Sequence, residues 1–182
     1  IQDNRTFNFS TNKYNPNQVD VTKLLPSSYN PGGFLYVANE GNGGGGETIV
    51  QLDLTKSSGN TGFSDVIGTG FNGPSGLAEN AATKTLYISD DYNNVYSQVV
   101  ADDFKVVAGG FSNPNALYFN DSDDSLYIAE EGNGQIISLI DPSSATPSVM
   151  PVETGLSGPQ AVAIDETNSK LYSTDYGNEV YG

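Results

Sequence analysis

The sequence predicts an all-β fold, a β-propeller of four-stranded antiparallel blades, with four blades recognisable in its 182 residues. Three observations carry that expectation. A phrase recurs, first as Gly70-Phe71-Asn72-Gly73-Pro74-Ser75-Gly76-Leu77 and then as Gly110-Phe111-Ser112-Asn113-Pro114-Asn115-Ala116-Leu117. Its third copy is Gly155-Leu156-Ser157-Gly158-Pro159-Gln160-Ala161-Val162. A Leu-Tyr pair follows each Pro by twelve and thirteen residues, at Leu86-Tyr87, Leu126-Tyr127 and Leu171-Tyr172. The residues between are short β-type runs, and a repeat of 40 to 51 residues built from such runs is the mark of propeller blades.

Taken in order, residues 1–33 are expected to hold N-terminal strands and a ring-closing clasp. Thr6-Phe7-Asn8-Phe9-Ser10 alternates polar and aromatic residues, and Gln18 to Leu24 reads as an inner strand. Blade one spans 34–70, with strands at Phe34 to Ala38, Thr48 to Leu54 and Ser64 to Ile67; its Leu35-Tyr36 has no Pro phrase before it. Blade two spans 71–110, with strands at Gly76 to Ala78, Thr85 to Ser89, Val95 to Val100 and Phe104 to Ala108. Leu86 and Ile88 alternate there against Tyr87, the period of a sheet. Blade three spans 111–155, with strands at Ala116 to Phe119, Ser125 to Ala129, Gln135 to Ile140 and Ser148 to Val152. Blade four, 156–182, supplies Ala161 to Ile164 and Lys170 to Thr174 and is incomplete. Filling its vacant edge with Thr6 to Ser10 closes the blades on themselves and removes exposed sheet edges. A larger ring, or a neighbouring subunit that finishes the last blade, are the alternatives.

Composition excludes whole classes of chemistry. A net charge of −15, with seven Lys plus Arg, is unsuited to nucleic acid or to anionic membrane surfaces. No stretch of 18 apolar residues is present to span a membrane. Histidine and cysteine are absent, which rules out a Ser-His-Asp triad, a Cys-His pair, a His-ligated zinc site and any disulfide framework. Sequons at Asn4, Asn8 and Asn120 are glycosylation candidates, and with the acidic, Lys-poor surface they point to a secreted, extracellular protein.

Candidate site residues follow from the repeat. The residue after each Pro varies, as Ser75, Asn115 and Gln160, in a turn that leads onto the innermost strand; these are the candidate ligand-facing positions. Each second strand ends in an acid or amide, Asn39, Asp90, Glu130 and Asp175. Recurrence with the repeat reads as a turn cap accepting backbone N–H groups; a carboxylate ring around a cation is the other reading. Asn120-Asp121-Ser122-Asp123-Asp124-Ser125 concentrates hard oxygen ligands but lacks the Gly and distal Glu of a helix-loop-helix calcium site, so it reads as a solvated turn. The Asn42 to Gly46 run has no neighbouring Lys and no following helix, so it reads as a flexible hairpin connection rather than a phosphate loop.

Gly73-Pro74-Ser75-Gly76-Leu77-Ala78, followed by Leu86-Tyr87-Ile88-Ser89-Asp90-Asp91-Tyr92-Asn93-Asn94-Val95, resembles the NHL repeat and its relatives. Leu35-Tyr36-Val37-Ala38-Asn39, continuing to Ile49-Val50-Gln51-Leu52-Asp53, is similar to repeats of surface-layer and extracellular propellers. Pro114-Asn115-Ala116-Leu117 has a more distant similarity to gluconolactonase and regucalcin-like hydrolases, which implies lactone opening with calcium in a central channel. That resemblance implies Asn115, with Glu130, as metal ligands; Ala116 in place of Gly, and Ser75 and Gln160 at the equivalent turns, depart from it. The functional expectation is therefore a secreted non-catalytic propeller, without cofactor, that binds a protein or glycan partner. The alternative is a calcium-dependent lactonase-like hydrolase.

Overall fold

The computed structural model describes residues 33–40, 47–56, 64–91, 93–99, 104–177 and 180–181. The expected clasp and inner strand within residues 1–32, the Asn42 to Gly46 run, Asn4 and Asn8 lie outside them. All regular structure among the described residues is β-strand, arranged as four antiparallel sheets.

The chain divides into two compact units, residues 1–69 and 70–182. The first holds one sheet in the order β1-β2-β3, formed by Phe34–Asn39, Thr48–Asp53 and Ser64–Thr69. Its buried side chains are Ile49 and Leu52, both on the central strand, whose two edges are paired.

The second unit holds three successive blades. In blade two, β4 (Pro74–Asn80), β5 (Thr85–Asp90), β6 (Asn94–Val99) and β7 (Lys105–Gly109) pair in chain order. Blade three repeats the meander with β8 (Pro114–Asn120), β9 (Ser125–Glu130), β10 (Gln135–Ile140) and β11 (Ser148–Thr154). Blade four shows β12 (Pro159–Asp165), β13 (Lys170–Asp175) and the short β14 (Val180–Tyr181). The first strands sit side by side, β4 against β8 and β8 against β12.

Each first strand begins at its Pro, two residues earlier than the apolar pattern predicts. Proline has no N–H to donate and is tolerated at a strand's first residue. Its partner across the ladder is the acid that ends the second strand: Pro74 faces Asp90, Pro114 faces Glu130 and Pro159 faces Asp175. Register then slips in all three blades, between Pro74 and Leu77, Pro114 and Leu117, and Pro159 and Ala161. This bulge twists the strand and re-aims the side chain beside it.

The hairpin after each first strand is built the same way three times. Asn80, Asn120 and Asp165 each accept a backbone N–H through Oδ1, from Ala82 and Thr83, from Ser122, and from Asn168. Four residues on, Lys84, Asp124 and Ser169 adopt left-handed φ of 58°, 52° and 53°. Such side-chain-capped turns explain why polar clusters punctuate the repeat at these points.

The core lies between blades. Tyr87 and Val95 of blade two pack with Leu117, Phe119, Leu126, Ile128, Ile137 and Leu139 of blade three. The rings of Tyr87 and Phe119 stack in parallel, 5.7 Å apart and inclined by 9°. Between blades three and four the cluster is Ala129, Ile136 and Val162, flanked by Tyr127 and Leu171. All of β5 is buried because neighbours cover both its faces, whereas the outer strand β11 is exposed throughout. Pro151 interrupts the donor row of that outer edge and Glu153 adds charge, both of which discourage further strand pairing.

Two outcomes follow. Burial, then the nearby Asp124 and Asp141 charges, push the Tyr87 hydroxyl from 10.0 up to about 12. Its neutral form is favoured by folding, so stability falls as pH climbs from about 10 to about 12, and chemical denaturation across that range shows a smaller fall in Tyr87→Phe. Ser169→Gly relieves the left-handed strain and raises stability by roughly 0.5–1 kcal/mol in urea melts.

Candidate functional site

The slip after each Pro places Ser75-Gly76 opposite Ser89 and Asn115-Ala116 opposite Ala129, out of the regular ladder. Together with Gln160 these bulged segments line one open depression of about 280 Å³, completed by Leu77 and Leu117. Ser75, Asn115 and Gln160 thus meet across three adjacent first strands. The surface is neutral and polar over an apolar floor.

Its walls are held by contacts between blades. Ser75 Oγ donates to the Pro114 carbonyl at 3.3 Å, and Ser89 Oγ donates to the Asn115 carbonyl. Gly76 N–H donates to Ser89 Oγ at 2.8 Å. A Cβ at residue 76 would stand 2.1 Å from the Asn115 carbonyl oxygen, so glycine is required for blades two and three to approach this closely.

Asn115 Nδ2 donates to Glu131 Oε2 at 2.7 Å, and Asn113 Nδ2 donates to the same oxygen at 2.7 Å. Both amide N–H₂ groups are thereby aimed at one carboxylate. The residue beside Asn115 is Glu131, which the sequence reading passed over. The signal was available: Asp91, Glu131 and Tyr176 stand seventeen residues after each Pro and vary as the post-Pro residues do.

Glu130 does other work. It is 1 % exposed; Oε1 accepts Ser112 N–H at 2.6 Å and the Asn133 amide at 2.8 Å, while Oε2 accepts the Gln135 amide. The same arrangement recurs, with Asp90 Oδ2 accepting Asn72 N–H at 3.4 Å and Asp175 Oδ2 accepting Ser157 N–H at 2.6 Å. In each blade the donor lies eighteen residues before the acid, in the segment leading to the Pro. These acids therefore latch each blade's first strand onto the end of its second. Asn39, in the blade without a Pro phrase, instead donates its amide to Thr48 Oγ1 at 3.3 Å.

The acidic 120–125 loop is spent on its own turn. Asn120 is 5 % exposed, with Oδ1 accepting both N–H and O–H of Ser122. Asp123 accepts Ser125 N–H at 3.1 Å and the Tyr127 hydroxyl at 2.9 Å. The sequon amide is thus buried while Asp121 to Asp124 face solvent. Among the described residues no three acidic side chains converge as a metal cluster.

No family model matches the chain, and no curated relative does. Solved structures do. A chain of a nidogen/laminin complex aligns with TM-score 0.63 and 15 % identity, over 79 % of this chain and 52 % of that one. A gluconolactonase from Xanthomonas campestris aligns with TM-score 0.57 and 12 % identity, over 71 % of this chain and 41 % of that one. A streptogramin B lyase aligns with TM-score 0.54 and 11 % identity, over 74 % and 46 %. The chain thus spans about half, or less, of the chains it matches. At these identities the likeness concerns the fold, and the fold is a β-propeller.

Removing the latch of blade three orphans buried donors. Glu130→Ala lowers stability by about 1–3 kcal/mol in denaturant melts, and Glu130→Gln by less, because its remaining oxygen still accepts Ser112 N–H.

Proposed function

We propose that this propeller is a secreted, non-catalytic binding module that docks a protein or glycan partner over the depression shared by Ser75, Asn115 and Gln160. The convergence of these three variable residues on one surface, each freed from the ladder by the bulge after its Pro, is the observation that carries the reading. A hydroxyl and two carboxamides recognise hydroxyl or amide groups by neutral hydrogen bonds. Leu77 and Leu117 supply the apolar floor on which a sugar or peptide packs. Depressions with few polar groups on an apolar lining suit ligands of this kind. The fold likeness to a chain of a nidogen/laminin complex supports a protein partner. The acidic charge of −15 supports partners without anionic groups. The sequons at Asn4 and Asn8 support secretion.

The lactonase-like alternative has two observations in its favour, the fold likeness to a gluconolactonase and the Glu131 carboxylate standing beside the Asn115 side chain, with Nδ2 to Oε2 at 2.7 Å. Both readings meet in one experiment. The chain is screened on a glycan array and on immobilised laminin, and in parallel assayed for gluconolactone hydrolysis with and without calcium. Binding is expected, weakened roughly thirtyfold in Asn115→Ala/Gln160→Ala through loss of two hydrogen bonds at about 1 kcal/mol each. Calcium-dependent hydrolysis that disappears in Asn115→Ala, without partner binding, overturns the module in favour of the enzyme.

A further inference from the structure

Two Asn-Gly junctions lie within the described residues, Asn72-Gly73 and Asn133-Gly134, and the fold treats them differently. At such a junction the glycine nitrogen can attack the asparagine side-chain carbonyl, because glycine has no Cβ to shield its own backbone. Asn133 is tied at both reacting groups. Its Nδ2 donates to Glu130 Oε1 at 2.8 Å, which holds the carboxamide on the latch of blade three. Gly134 N–H donates to the Glu131 carbonyl at 3.1 Å, so the nucleophile is engaged as well.

Asn72 is held by its backbone instead. Its N–H donates to Asp90 Oδ2 at 3.4 Å, and its carbonyl accepts Asp91 N–H at 2.8 Å. Among the described residues neither its carboxamide nor Gly73 N–H has a hydrogen-bond partner. The bond from Asp91 acts on the same peptide group as the Gly73 nitrogen. By drawing charge onto the Asn72 carbonyl oxygen, it stabilises the anion left when that nitrogen loses its proton. Position 73 is closed to other residues, since Gly73 has φ of +60° and a Cβ there would collide with the Asp91 carboxylate. Position 72 is not. Ser112 and Ser157 stand in its place in blades three and four and give the same N–H to the strand-ending acid.

We propose that Asn72 is a site of spontaneous deamidation and isomerisation, with water as the other reactant. The Gly73 nitrogen attacks Asn72 Cγ, and its proton passes through water to the departing group. The bond from Cγ to Nδ2 breaks, ammonia leaves, and a cyclic imide remains. Water then opens the ring. Cleavage between Cγ and the Gly73 nitrogen leaves aspartate at position 72. Cleavage between the backbone carbonyl carbon and that nitrogen leaves isoaspartate, with the main chain running through Cβ and Cγ. Either product puts a new negative charge beside Asp90 and Asp91. The isoaspartate also lengthens the main chain by a methylene just before Pro74, in the segment that latches blade two and delivers Ser75 to the depression.

The full chain is aged in mildly alkaline buffer, folded and in urea, and followed by peptide mass spectrometry with fragmentation that localises the acid and separates isoaspartate from aspartate. In the folded chain, conversion at Asn72 is expected to run at least roughly tenfold faster than at Asn133, whose hydrogen bonds must open first. In urea the two junctions react alike. Asn72→Ser, the residue of the sister blades, keeps the parent's near-UV circular dichroism and gains no acid at position 72. On ageing, the parent's urea midpoint falls while that of Asn72→Ser holds; Asn42-Gly43, present in both chains, cancels in this comparison. Three results overturn the proposal: a folded chain that stays intact at Asn72 while the unfolded one reacts, conversion at Asn133 as fast as at Asn72 in the folded chain, or aged parent and aged Asn72→Ser with the same midpoint.

Discussion

Each second strand carries a Leu that points back and a Tyr that points forward, so no blade can cover its own apolar surface. Tyr87 reaches its nearly complete burial only because Phe119 of the next blade lies flat against it. Leu126, Ile128 and Leu139 are sealed by the same contact from the other side. Stability in such an arrangement comes from nearest-neighbour interfaces rather than from a central core, as in other repeat architectures. The difference between β5, buried at every residue, and β13, where buried positions alternate with open ones, is the direct consequence.

That dependence on neighbours sets strict terms where blades come closest. Gly76 sits against the Asn115 carbonyl, and no side chain fits between them. The Pro before it cannot donate a backbone hydrogen bond, and one oxygen of the acid opposite accepts an N–H from the segment leading into the strand. Together the Pro, the latch and the bulge hold the start of each first strand rigidly while leaving the next residue outside the ladder. Backbone support and the residues proposed for recognition are separated over a few positions. The carboxylates repeat because the backbone needs them, and Ser75, Asn115 and Gln160 differ because the ladder does not.

The blades, their order, the polar turns and the structural use of the strand-ending acids as N–H acceptors were legible in the sequence, because a period of two and a recurring phrase are local properties; that the N–H comes from eighteen residues upstream, and not from the adjoining turn, was not. Strand starts at Pro74, Pro114 and Pro159 were not, since pairing with Asp90, Glu130 and Asp175 depends on a register slip that leaves no mark in hydrophobicity. Asn120 looked like a surface sequon; its oxygen is turned inward to cap the loop, a choice made by the hairpin around it. Glu131 was hidden behind Glu130, and only the bulge decides which of two adjacent acids reaches Asn115.

By itself, then, the sequence determined what repeats: strands of a given length, a glycine where backbones touch, and side-chain oxygens that accept the backbone N–H groups left outside the ladder. These are demands of neighbouring residues on one another, and periodicity records them. Tertiary structure alone decided that three residues some forty positions apart share one depression, and that Tyr172 is open where Tyr87 is closed. Both depend on which blade stands beside which, and a chain carries no local signal of what its neighbour in space will cover.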